Sequence, residues 1–193
     1  ENKTFSYIKD TGVLTMGVWD NTYNFWMNYT VNLPYGTSFL EDENHIYVTC
    51  EQRGLFILEK VEDASPIILS EADTPGSAYD VAVQGNYAYI ADKHMGLSVI
   101  DISDKTNPQF LYNYSDTWGH ARSIVANDKI VAIGSGGGGI YVFSIENNPA
   151  EPELVLQVDS DEIGYNYGVK IHNGVLYAIS RDLGIVQIEL DYE

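Results

Sequence analysis

Three stretches hold residue types that could do chemistry: the pair His94 and His120, the acidic run Asp159-Ser-Asp161-Glu162, and the glycine-rich Gly134–Gly139. A zinc centre needs three or four ligands, and neither histidine has a cysteine or a third histidine nearby, so the two read as surface imidazoles. Asp159, Asp161 and Glu162 suggest calcium, but the closing glutamate of a twelve-residue calcium loop is missing, that position being Lys170. An acidic turn is expected there, with calcium the only cofactor considered. "GSGGGG" lacks the Lys-Ser/Thr ending of a phosphate loop and joins two strands, so it is expected to be a hairpin. No nucleophile-elbow pattern or paired-carboxylate motif occurs, and Trp19-Asp20 and Gly119-His120 do not recur at any period.

Composition narrows the classes further. A net charge of −18 opposes binding to a nucleic-acid backbone, which recruits Lys and Arg to replace counterions. With 45% apolar residues the chain can build a real core, yet no apolar run is long enough to span a membrane as a helix. The single cysteine, Cys50, lies in an apolar run and is expected to be a buried, inert thiol. The chain starts at Glu1 with no initiator Met or signal-like segment, and is read as processed or excerpted. Asn2, Asn28 and Asn113 each open an N-glycosylation triplet.

The elements that must position these residues follow from an internal repeat. Gly12, Gly54, Gly96, Gly139 and Gly184 each head an apolar run ("GVLTMGV", "GLFILEK", "GLSVIDI", "GIYVFSI", "GIVQIEL"), at spacings of 42, 42, 43 and 45 residues. A second column, Tyr47, Tyr89, Ala132 and Tyr177, keeps the same period. The third unit reads as four strands near 78–84, 87–92, 97–103 and 109–115, rich in Val, Ile, Tyr and Phe. Gly85-Asn86, Asn127-Asp128 and Asn173-Gly174 suit two-residue hairpins, the heading glycines suit a left-handed or bulged backbone, and Pro66, Pro108 and Pro152 precede outer strands. The second strand is almost continuously apolar, so both of its faces must be covered.

Four-stranded antiparallel sheets of this period, stacked face to face, make an all-β propeller. One domain over residues 1–193 is expected, with units near 1–32, 33–74, 75–117, 118–160 and 161–193. The first unit lacks its first strand and the last lacks its fourth, so the chain is expected to be an incomplete propeller or propeller segment, its open blades completed by further sequence or by another protein chain.

The unit "AYDVAVQGNYAYIAD", followed by "GLSVIDISD" and Asn107-Pro108, resembles the LVIVD-repeat propellers. Ala78, Asp80 to Val83, Gly85 to Asp92, Gly96, Leu97, Val99 to Asp104, Asn107 and Pro108 carry the resemblance. It implies a propeller typical of secreted or cell-surface proteins, with no family-wide catalytic residues. The Asp80 column departs to Ser38, Ser123 and Gly168, so no role tied to that aspartate is shared by every blade.

In a propeller the loops from second to third strand, and from fourth strand to the next blade, share one face. That face would gather Tyr35, His94, Trp118, His120, Tyr165 and Tyr167, with Asp92, Arg53, Arg122 and Arg181 near the rim, as a ligand or glycan platform. The sequence therefore reads as a non-enzymatic extracellular or cell-surface scaffold making protein or glycan contacts. A calcium-assisted hydrolase or lyase acting on a glycan or phosphoester, and a structural surface-layer or filament subunit, are the alternatives.

Overall fold

The computed structural model describes residues 3–8, 13–20, 25–62 and 64–190. Five antiparallel sheets follow one another along the chain, each pairing its strands in sequence order. Blade one is β1 (Lys3–Ile8), β2 (Val13–Asp20) and β3 (Phe25–Asn32). Blade two is β4 (Ser38–Glu41), β5 (His45–Thr49), β6 (Leu55–Glu59) and β7 (Ile67–Ala72). Blade three is β8 (Asp80–Gln84), β9 (Tyr87–Ala91), β10 (Leu97–Asp101) and β11 (Gln109–Tyr114). Blade four is β12 (Ser123–Ala126), β13 (Ile130–Gly134), β14 (Ile140–Ser144) and β15 (Glu153–Val158). Blade five is β16 (Asn166–His172), β17 (Val175–Ser180) and β18 (Gly184–Ile188). A single helical turn, α1 (Ser160–Ile163), stands where the acidic turn was expected, in the link between blades four and five rather than inside a blade.

The burial pattern explains the sequence pattern. Strands β5, β9 and β13 are buried along nearly their whole length, which requires apolar residues on both faces. The outer strands β7, β11 and β15 are only partly covered: β15 alternates exposed with half-buried residues, while β7 and β11 expose consecutive residues at their starts. Four apolar clusters fill the four interfaces between successive blades: Leu14 with Val48 and Leu58, Tyr47 with Val81 and Ile90, Tyr89 with Ile133 and Phe143, and Ala132 with Val169 and Leu176. Each large side chain buried in such an interface contributes about 1.5–3 kcal/mol.

Polar contacts set the stacking register. Asp80 Oδ2 accepts the Ile124 N–H (3.0 Å) from the next blade, and in the same column Ser123 Oγ accepts the Val169 N–H (3.1 Å). Gly168 holds that column in blade five and has no side chain to continue the series. Tyr89 OH donates across the interface to the Pro149 carbonyl at 2.9 Å.

Four of the five heading glycines adopt positive φ as expected, 70° at Gly54, 68° at Gly96, 80° at Gly139 and 77° at Gly184, and Gly12 lies outside the described residues. The bulge lies elsewhere, at one repeated step of the third-to-fourth-strand ladder: Ile57/Leu58, Val99/Ile100 and Val142/Phe143. The Asn127-Asp128 turn also differs from expectation. Neither residue has positive φ; Asn127 Oδ1 instead accepts the N–H groups of Lys129 and Ile130, both at 2.9 Å. Asp42 closes the matching turn of blade two in the same way, onto Asn44 and His45.

Candidate functional site

Blade-to-blade bridges organise the loop face. Glu51 pairs with Ala78, Lys93 with Ala121, and Gly136 with Asn166, so the second-to-third-strand loops of blades two, three and four are each zipped to the entrance of the next blade. The loop-side residue of each bridge is left-handed, with φ of 39°, 48° and 57°. Side chains flanking a bridge are thereby forced together, whatever they are.

At the junction of blades three and four those side chains are His94 and His120, whose ring centroids are 3.9 Å apart at 71°. Lys93 and Arg122 stand on the two sides of the same bridge, with Lys93 Nζ 5.3 Å and Arg122 Cζ 5.8 Å from the Tyr79 ring centroid. Partial desolvation, and then the charges of His94, Arg122 and Lys93, hold His120 below the usual histidine range. Tyr79 and Lys93 were not among the expected site residues. Their signal was positional, since both flank bridges, and neither carries a motif.

Tyr35 and Trp118 are among the most exposed large apolar residues, and Tyr167 is exposed beside Tyr165, with ring centroids 5.2 Å apart. Arg181 lies over Tyr165 and pairs with Asp182, while Arg53 pairs with Glu71. Blade position separates these groups: Tyr35 enters blade two, Trp118 and His120 enter blade four, and Tyr165 and Tyr167 enter blade five.

Asp92 is a correction. Expected on the ligand-facing side, it is wholly buried, and its carboxylate accepts Thr74 Oγ1 (2.9 Å), the Gly76 N–H (3.0 Å) and Ser98 Oγ (2.8 Å). Burial raises its pKa above the usual carboxylate value in spite of those donors. It pins the strand-connecting loop of blade three to the preceding link and is unavailable to a ligand. Its sequence setting, a polar residue ahead of a glycine-headed loop, does not distinguish an outward side chain from an inward one.

Asp159, Asp161 and Glu162 surround or lie within α1, and Asp159 Oδ1 accepts Gln157 Nε2 at 2.7 Å. Among the described residues no three His, Cys, Asp or Glu side chains gather as a metal set, so these three do not form the calcium site considered from sequence. Cys50 is buried, and desolvation pushes its thiol up to about 12. Of the glycosylation triplets, Asn2 lies outside the described residues and Asn28 lies on β3. Asn113 Nδ2, the atom a glycan would take, donates to the carbonyls of Met95 (2.6 Å) and Leu97 (3.1 Å) and to Ser98 Oγ (3.1 Å).

Blade five differs most from its sisters. A Cβ on Gly54, Gly96 or Gly139 would lie 2.2, 2.3 or 2.0 Å from a backbone carbonyl, of Ala72, Tyr114 or Val158 respectively, at the end of the fourth strand. The glycine column thus exists to admit that carbonyl. At Gly184 no described residue lies within 4 Å of that position.

Comparison with known proteins agrees with this geometry. Residues 75–116 match the LVIVD repeat family. No curated protein matches the chain in sequence. Among solved structures, the computationally designed Ika4 protein superposes with a TM-score of 0.68 at 12% identity, over 83% of this chain and 94% of its own. BamB from Moraxella catarrhalis gives 0.66 at 12% identity, over 92% of this chain and 51% of its own. The β-propeller domain of Cps50 (Swd1) from Myceliophteria thermophila gives 0.75 at 10% identity, over 98% and 67%. The chain therefore spans about half the length of BamB, and likenesses at this identity establish the fold alone.

Proposed function

We propose, from the premise that this chain is a β-propeller whose third blade is an LVIVD repeat, that it is a non-enzymatic binding and assembly scaffold of the extracellular space or cell surface. It engages another protein chain by accepting a β-strand along β18. The carbonyl seat at Gly184, which no described residue fills, carries this reading. Three sister glycines hold a fourth-strand carbonyl where their Cβ would be, and the fourth keeps the same φ with no described residue in that space. Among the described residues nothing covers the adjoining sheet surface either, and Ile179 and Ile185 are exposed. An open edge with an apolar face is a template for strand addition, in which main-chain hydrogen bonds provide affinity and the side-chain seats provide selectivity.

The extracellular assignment draws on the LVIVD resemblance and on the glycosylation triplets at Asn2 and Asn28. Catalysis has no support from the loop face, whose buried carboxylate is structural and whose histidine pair sits beside a lysine and an arginine.

A synthetic peptide of residues 107–116, the fourth strand of blade three with its flanks, tests the reading directly. It is expected to bind the chain, and Gly184→Val, which fills the carbonyl seat, is expected to abolish binding. Absence of binding by the unaltered chain, or equal binding by the variant, would overturn it.

A further inference from the structure

Trp118 presents an exposed indole on a backbone that is fixed from both sides. Its N–H donates to Tyr141 OH (2.8 Å) and its carbonyl accepts Ser135 Oγ (2.6 Å). Its side chain is 73% exposed and walls a groove of about 300 Å³. Gly137 and Gly138 line the groove beside it, and Asp159, Ser160 and Asp161 line it from the link to blade five.

The two glycines serve different ends. A Cβ on Gly138 would lie 1.7 Å from the Trp118 carbonyl oxygen, so the backbone itself excludes a side chain there. At Gly137 the φ is not left-handed, and a Cβ would meet only the edge of the indole at 3.6 Å, an ordinary contact. Packing does not demand a glycine at 137; its effect is to leave the ring open to the groove. The aligned loop position in blade three is His94, so the bare residue is particular to this junction.

We infer that this groove is a binding site for a neutral or amino pyranose. A pyranose has one face of C–H groups, which stacks on the electron-rich face of an indole, and a rim of hydroxyls. Ser160 and the carboxylates of Asp159 and Asp161 offer acceptors along three successive residues opposite the ring. Asp161 makes no hydrogen bond or ion pair among the described residues, and Asp159 is engaged only through Oδ1 by Gln157. A volume of this size admits one or two sugar rings, at the small end of ligand pockets. The same carboxylates repel uronates and other anionic sugars. One aromatic wall is too few to enclose a quaternary ammonium, which is recognised by cages of several rings. The groove lies on the loop face, apart from the β18 edge, so this inference stands or falls independently of strand addition.

The test follows the indole N–H resonance of Trp118 by NMR during titration of the full chain. The probes are the methyl glycosides of glucose, galactose, mannose and N-acetylglucosamine, with glucuronate and tetramethylammonium as contrasts. The other two tryptophans, Trp19 and Trp26, serve as internal references. At least one neutral or amino glycoside is expected to shift the Trp118 signal saturably at millimolar concentration, with glucuronate at least about tenfold weaker. Gly137→Val is expected to abolish the shift while leaving the melting temperature unchanged. Binding by Trp118→Ala, followed by saturation transfer to the glycoside protons because the indole reporter is gone, is expected to be lost, while that variant still binds the 107–116 peptide. No shift with any of the four glycosides, a shift with tetramethylammonium alone, equal affinity for glucuronate, or full binding by Gly137→Val would each overturn the inference.

Discussion

Leu97 and Ile185 occupy the same step of the repeat, immediately after the heading glycine, yet Leu97 is 0% exposed and Ile185 is 76% exposed. Leu97 is sealed by the next blade's apolar residues, within the cluster that contains Ile133 and Phe143. No described residue does this for Ile185. The same local sequence thus serves as core in one blade and as surface in another, and only the neighbour differs.

This contrast predicts two very different alanine variants. Leu97→Ala is expected to lower stability by about 2–5 kcal/mol, the usual cost of emptying a packed aliphatic site. Ile185→Ala is expected to stay within about 0.5 kcal/mol of the parent in the isolated chain. Denaturant midpoints measured side by side decide it; comparable losses would mean that blade five's outer face is covered.

Asp92 predicts a pH signature. Its folded-state pKa is raised, chiefly by burial, so the folded chain binds the extra proton between the ordinary carboxylate value and that raised value. Stability from this group is therefore greatest at acid pH and declines as pH rises through that window. Asp92→Asn loses the acceptor for the Gly76 N–H and is expected to cost about 1–3 kcal/mol in acid. The gap between parent and variant should narrow as pH rises toward neutral, because only the parent must ionise a buried group. Thermal melts across that range check the trend, and a widening gap would contradict it.

For His120, the prediction concerns its neighbour. Desolvation holds its pKa below the ordinary histidine value, and the His94 charge adds to this. His94→Ala is expected to move the His120 titration midpoint upward, followed through its ring Hε1 resonance. An unmoved midpoint would show that the 3.9 Å ring contact does not exist in solution.

The repeat was legible because its signals are local. Glycine at positive φ, turn residues at fixed offsets and doubly covered apolar strands all leave marks within one unit, and the predicted strands of blade three match β8 to β11 closely. What depended on neighbours was not legible. Asp92 and Lys93 are adjacent in sequence, yet one turns inward to three donors and the other outward over Tyr79, a choice made by the preceding link and the next blade. Asn127 escaped for a related reason: its side chain can close a turn without the left-handed backbone that its identity suggests. The Trp118 groove brings together Gly137 from the glycine run and Ser160 from the acidic run, two stretches visible in the sequence, but nothing local to either says that they line one groove beside an exposed indole.

Hydrogen exchange at the two outward amides of β18 tests strand acceptance most directly. In β10 the Gly96 carbonyl accepts from the inner neighbour through the Asp92 N–H (2.8 Å), so alternation turns the Leu97 and Val99 amides toward the fourth strand. The matching register in blade five turns the Ile185 and Gln187 amides to the open edge. Both are predicted to exchange rapidly in the chain alone and to become at least about tenfold slower when the 107–116 peptide is added. Protection already present without the peptide, or exchange that the saturating peptide leaves unchanged, would contradict the account.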